Sequence, residues 1–119
     1  MKPISKILEI AKSVIQLESE AIAQLDQQLD DNFASAVELI LSSNGRVIVA
    51  GVGKSANIAS KIVATFNSTG QPAIFLHAGD AIHGDLGNIQ KNDVVICLSK
   101  SGNTEEIKYL LPLIKNMGN

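Results

Sequence analysis

Three short apolar runs constrain this chain more than any other feature: Arg46-Val47-Ile48-Val49-Ala50, Pro72-Ala73-Ile74-Phe75-Leu76 and Val94-Val95-Ile96-Cys97-Leu98. The first is apolar on both of its alternating faces, the pattern of a parallel strand covered by helices on each side. Between the first two runs, Ile58, Ala59, Ile62, Val63 and Phe66 recur at helical spacing, and the pattern ends near Ser68-Thr69-Gly70. After the third run, an apolar-periodic segment extends from Ile107 to Met117, with Pro112 inside it as an expected kink or shift in hydrogen bonding. Strands alternating with helices predict an α/β fold with right-handed crossovers. Upstream, Ile4, Ile7, Leu8, Ala11, Val14, Ile15, Ala21, Ile22, Leu25 and Leu29 predict a long leading helix. Asp30-Asp31-Asn32 can cap a second helix with Phe33, Ala36, Val37, Ile40 and Leu41 on its apolar stripe. Asn44-Gly45 is expected to end that helix, because both residues tolerate positive φ.

The 119 residues suffice for one domain with a real core. At 18% charged residues, a disordered chain is a poor reading. A net charge of −2 leaves no electrostatic footprint for nucleic acid, and 3% aromatics are too few for a base-stacking platform. The single cysteine, Cys97, reads as a buried thiol in a reducing compartment. Met1-Lys2-Pro3-Ile4-Ser5 lacks a signal peptide's apolar run and no segment approaches a membrane span, so the expected location is cytoplasmic.

The polar turns that follow the strands hold the candidate chemistry. Ser99-Lys100-Ser101-Gly102-Asn103-Thr104-Glu105-Glu106 joins the third run to the last helix. It gathers three hydroxyls, a glycine and the free amides of a helix start, the groups that a phosphate needs. A competing reading makes Asn103 an N-cap with Glu106 as its reciprocal carboxylate. The turn Gly51-Val52-Gly53-Lys54-Ser55 follows the first run. With Ala56 it formally fits a dinucleotide fingerprint, but His77 stands where an acidic ribose ligand belongs at the end of the second run. A P-loop is rejected because Ile48 occupies the place of its first glycine. Lys54 is thus expected to face a ligand at the carboxyl edge of the sheet. His77 and His83, with Asp80 and Asp85 nearby, share a glycine-punctuated connection expected to hold a helical turn, and their spacing matches no recognised zinc pattern.

Taken together and in order, Gly51–Ser55, Ser68-Thr69-Gly70, the run His77-Ala78-Gly79-Asp80-Ala81-Ile82-His83-Gly84-Asp85-Leu86-Gly87 and Ser99–Glu106 resemble the sugar isomerase (SIS) domain of arabinose-5-phosphate isomerases. The resemblance runs from about Asp31 to the end, and its most specific part is His83-Gly84-Asp85-Leu86-Gly87. It implies a flavodoxin-like three-layer α/β/α fold, with three parallel strands in this chain and five in the complete domain. Residues 1–45 would be its N-terminal helices and 46–119 its first three strand–helix units. The implied activity interconverts D-ribulose 5-phosphate and D-arabinose 5-phosphate through a cis-enediol, toward Kdo and lipopolysaccharide, without a cofactor and usually as a homotetramer. By the same resemblance Ser99, Ser101 and Thr104 hold the phosphate, with Gly102, Asn103 and Ser55 beside it. Lys54, His83 and Glu106 fall on catalytic or substrate-contacting positions, Gly70 and Gln71 on substrate contacts, and His77 on a position contacted by an inhibitory zinc. The alternative is a non-catalytic SIS module that binds a phosphosugar and regulates. Three strands would also leave a bare apolar edge, so either another copy covers it or the chain is the front part of a longer domain, inactive by itself.

Overall fold

The computed structural model describes residues 3–119, which divide after Val37 into two compact units. The first unit is helical. Helix α1 (Ile4–Ala23) gives way to a five-residue 3₁₀ turn, Gln24–Gln28, so the expected single helix to Leu29 changes winding before its end. Asp30 then starts α2 (Asp31–Ser42): its Oδ1 accepts the amides of Asn32 at 3.0 Å and Phe33 at 3.2 Å, as anticipated for this acidic cluster. No residue of α1 is buried; Ile4, Ile7, Leu8, Val14 and Ile15 are all exposed.

The second unit, Glu38–Asn119, holds a three-stranded sheet of β1 (Val47–Gly51), β2 (Ala73–His77) and β3 (Val94–Cys97). The strands are parallel in the order β2-β1-β3. The first two start one residue later than their apolar runs suggest, and Leu98 still donates its amide to Ala50 O beyond β3. Every residue of the central strand β1 is buried, whereas β3 is half-buried along its length. Alternation on β1 feeds two cores. Ile48 and Ala50 pack with Leu76, Ala78 and Ala81 and with Ile107, Leu110 and Ile114 of α5 (Glu105–Asn116). Val47 and Val49 face the other way, against Ala59, Ile62, Val63 and Phe66 of α3 (Lys54–Ser68) and Ile40 of α2. The result is the three-layer α/β/α arrangement that the resemblance implies. Helix α5 runs unbroken through Pro112; the Lys108 carbonyl that Pro112 cannot bond lies on an exposed stretch, where water can serve it.

At the amino edge of the sheet, a polar knot ties β1 to β3. Arg46 grips the buried Asp93 with Nη2 at 2.7 Å and Nε at 3.2 Å, and its backbone amide adds a bond of 2.9 Å. Gln90 donates its amide to the same carboxylate at 2.8 Å. Burial pushes the Asp93 carboxyl up, but the Arg46 guanidinium and these amides outweigh it and hold it below its ordinary range. Asn119 Nδ2 donates to the carbonyls of Gln90 and Asp93 at 2.9 Å each. Gly45 does not have positive φ, contrary to its expected role as a helix terminator. It is small because a Cβ there would lie 2.0 Å from Asn92 O, so the chain can pass over this knot only as glycine.

Candidate functional site

In a sheet of order β2-β1-β3 the winding direction reverses between β1 and β3, and a crevice opens there at the carboxyl ends of the strands. Gly51 pairs with His77 and Ala50 with Cys97, so the three post-strand turns leave the sheet at one level. Those turns carry Lys54 and Ser55 after β1, His77 to His83 after β2, and Ser99 to Glu106 after β3. Topology therefore brings the three polar stretches picked out in the sequence to one edge.

The turn after β3 is built as an open anion cradle. Gly102 adopts φ 69° at its tip. Ser99 Oγ and Thr104 Oγ1 lie 2.7 Å apart, hydrogen-bonded to each other. Ser101 Oγ accepts the amide of Asn103 at 3.1 Å. Thr104, not Asn103, is the N-cap of α5, and its hydroxyl makes no cap bond because it is turned toward Ser99. That overturns the capping-box reading: with the cap at Thr104, the reciprocal position is Ile107, which cannot return a bond, and Glu106 stands one place too early. The first intrahelical bond runs from Lys108 N–H to Thr104 O at 2.9 Å. The amides of Glu105, Glu106 and Ile107 precede it and have no helical acceptor, so they point at the space where an anion would sit.

The turn after β1 repeats the device. Gly53, at φ 60°, is the N-cap of α3 and supplies no side-chain cap. Lys54 opens the helix and is exposed, and the ion pairs among the described residues involve Lys6, Arg46, His77 and Lys108 but not Lys54. Two uncapped helix starts and one ammonium thus flank the switch point. After β2 the chain forms α4 (Ala78–Ala81), which packs against α5, and a 3₁₀ turn at Asp85–Asn88. His83 is exposed in the link between them, and Glu106 is half-buried on α5, lining a shallow groove with Ile82 and Tyr109.

One expected pair, Gly70 and Gln71, does not converge on this edge. Gly70 and Gln71 end α3 and precede β2, whose first residue Ala73 pairs with Val47 at the start of β1. They lie at the opposite edge of the sheet, where Gln71 donates its amide to Phe66 O at 2.9 Å. His77 does lie at the carboxyl edge, at the end of β2. Among the described residues no group of three His, Cys, Asp or Glu side chains is gathered, and the Nδ1 of His77 already accepts the amide of Gly79. Sequence reasoning missed that bond, since it depends on how the chain turns after β2. It also missed a groove of about 560 Å³, which follows the edge of β3 past Val94, Val95 and Cys97 and is lined by none of the predicted site residues. Cys97, expected to be buried, is half-buried at this groove, and its partial burial pushes the thiol up.

Comparisons with known proteins agree with this geometry. The family model for the SIS domain matches residues 40–119. Arabinose 5-phosphate isomerase KdsD of Pseudomonas aeruginosa is 50% identical over 108 residues, which make up 91% of this chain and 33% of that protein. KdsD of Yersinia pestis is 46% identical over 115 residues, 97% of this chain and 35% of that protein. The chain thus spans about a third of the length of the curated relatives it matches. Among solved structures, Escherichia coli CFT073 c3406 in complex with arabinose 5-phosphate superposes with a TM-score of 0.92 at 41% identity, over 99% of this chain and 63% of that one. With its three-layer parallel fold, its open cradle at the switch point and a family model covering well over half of its length, the chain belongs to the SIS-domain family.

Proposed function

We propose that this chain contributes to an arabinose-5-phosphate isomerase, with residues 1–45 as the leading helices and residues 46–119 as the first three strand–helix units of its SIS domain. The observation that carries the reading is the uncapped start of α5: three free amides and the hydroxyls of Ser99, Ser101 and Thr104 follow β3, next to the turn after β1 that carries Lys54. The name of the KdsD relatives and the sugar phosphate bound in the similar solved structure support the choice of sugar. The phosphate of arabinose 5-phosphate occupies the cradle, with Gly102, Asn103 and Ser55 around it. Isomerisation to ribulose 5-phosphate requires a base to remove the proton next to the carbonyl and return it to the neighbouring carbon, through a cis-enediol. Glu106 is the candidate base, on the first turn of α5. Lys54 stabilises the oxyanion that develops, and His83 orients or opens the sugar.

Gly70 and Gln71 lie at the far edge of the sheet, so they reach a sugar only on a neighbouring copy. This placement and the exposed apolar stripe of α1 support a homo-oligomer, a tetramer in the complete protein. No helix among the described residues is long and apolar enough to cross a membrane, and we place the enzyme in the cytoplasm, supplying Kdo for lipopolysaccharide. The test is conversion of arabinose 5-phosphate by the full-length protein, followed as ribulose 5-phosphate formation. Binding without turnover would point instead to a regulatory phosphosugar module.

A further inference from the structure

We propose that His77 is a positioning residue: a neutral histidine whose Nδ1 lone pair holds α4, and with it the His83 segment, at the carboxyl edge of the sheet. Its imidazole is the N-cap of α4, where Nδ1 accepts the amides of Gly79 at 3.1 Å and Asp80 at 3.4 Å. Two N–H groups aimed at one ring nitrogen leave no room for a proton on it, so the proton of the neutral ring is on Nε2. Asp80 Oδ2 is 3.8 Å from Nδ1, too far to compete as a hydrogen-bond acceptor. Two neighbours fix the ring in this pose. Phe75 meets it edge-on, with centroids 6.4 Å apart and planes at 85°. Gly79 leaves it space, since a Cβ there would lie 3.0 Å from Cε1 and 3.1 Å from Nδ1.

Both ring nitrogens are therefore occupied, one by the cap and one by its proton. A histidine that ligates a metal through Nε2 normally donates its Nδ1–H to an acceptor, the reverse of the arrangement here. The structure disagrees with His77 as a zinc ligand and assigns it to the loop instead. Of the helices that follow the three strands, α3 and α5 start without a side-chain cap and α4 alone has one. Two starts are left open for an anion, and the third is closed to fix a segment. The catalytic consequence rests on the isomerase reading above; the hydrogen bonds of the ring do not.

The experiment is in two parts. In the ¹⁵N-labelled 119-residue chain at about pH 8, long-range ¹H–¹⁵N correlation should show His77 with a bare Nδ1 and a protonated Nε2. Amide exchange at Gly79 and Asp80 should quicken about tenfold in His77→Leu and return toward wild type in His77→Asn, whose short amide can cap in the same way. Gly79→Ala should loosen the same two amides without altering the histidine. In the full-length protein His77→Leu should lower kcat by up to roughly 10²-fold through misplacement of the loop, with His77→Asn recovering most of it. A proton on Nδ1, loss of the Nε2–H signal on adding equimolar zinc, or no rescue by asparagine would overturn the proposal. Failure of the wild-type full-length protein to turn over arabinose 5-phosphate, with the cap intact by exchange, would sink the isomerase reading and the catalytic consequence while leaving the tautomer established.

Discussion

Lys54 holds a positive charge where the backbone is already electropositive, on the first turn of α3. A cation at that end of a helix is unfavourable by about 0.3–1 kcal/mol, and among the described residues no carboxylate pairs with it. A bound anion reverses that sign. Lys54→Met should therefore raise the thermal stability of the sugar-free protein slightly and, on the proposed isomerase reading, lower kcat of the full-length protein by about 2.7–4 kcal/mol of transition-state stabilisation with little change in substrate affinity. Steady-state kinetics beside calorimetric titration with arabinose 5-phosphate separates these effects; turnover within a few-fold of wild type would remove Lys54 from the catalytic set. Ser101→Ala and Thr104→Ala should behave in the opposite way. On the proposed reading each removes a phosphate contact made equally in ground and transition states, so KM should rise, by about 1.5–3 kcal/mol of binding, while kcat holds. An unchanged KM in both variants would dislodge the phosphate from this cradle. Thr104 also shows why the turn was only half legible in the sequence. Its hydroxyl, the nearest candidate cap, is engaged by Ser99 five residues earlier, a competition that spacing does not reveal.

The strands were readable because their apolar runs are short, β-branched and bounded by glycines and polar turns; their order, β2-β1-β3, puts the turn of Lys54 next to the turn of Ser99. The Arg46–Asp93 knot was not readable. Its partners stand 47 residues apart, and nothing in the local sequence around Asp93 marks it as one of them. Since its carboxyl is held below the ordinary value of about 3.9, the unfolded chain binds the proton more readily than the folded one. The stabilisation is complete above that ordinary value and is lost as pH falls through the folded one. Chemical denaturation of the chain should show a stability loss between about pH 4 and lower pH that is absent from Asp93→Asn. That variant should already be weaker at neutral pH by up to roughly 3–5 kcal/mol, because it leaves the Arg46 guanidinium without its counter-charge. In the same element, Ile48→Ala should cost about 2–5 kcal/mol, as Ile48 is fully buried in the core shared with Leu110.

The apolar faces left uncovered decide how the whole molecule behaves. Sequence periodicity found the stripe of α1 but could not say what it meets, because burial against another chain and burial within one read alike. If α1 serves the homo-oligomer, Leu8→Asp with Ile15→Asp should lower the assembly state of the full-length protein measured by light scattering, while the far-ultraviolet circular dichroism of the second unit's sheet persists. An unchanged assembly state would free α1 from that role. The central position of β1 has a different consequence, one of timing. Its five residues leave the ribosome first among the strands, yet the Asp93 carboxylate that anchors Arg46 follows 47 residues later. At a synthesis rate of about 5–20 residues per second, that is a wait of roughly 2–10 s. During it Val47–Gly51, the most buried strand of the finished sheet, has one flank with nothing to pair to. The protein's exposure to aggregation is thus greatest while it is being made, and slowing translation between β1 and β3 should lower its soluble yield more than slowing it anywhere after Cys97.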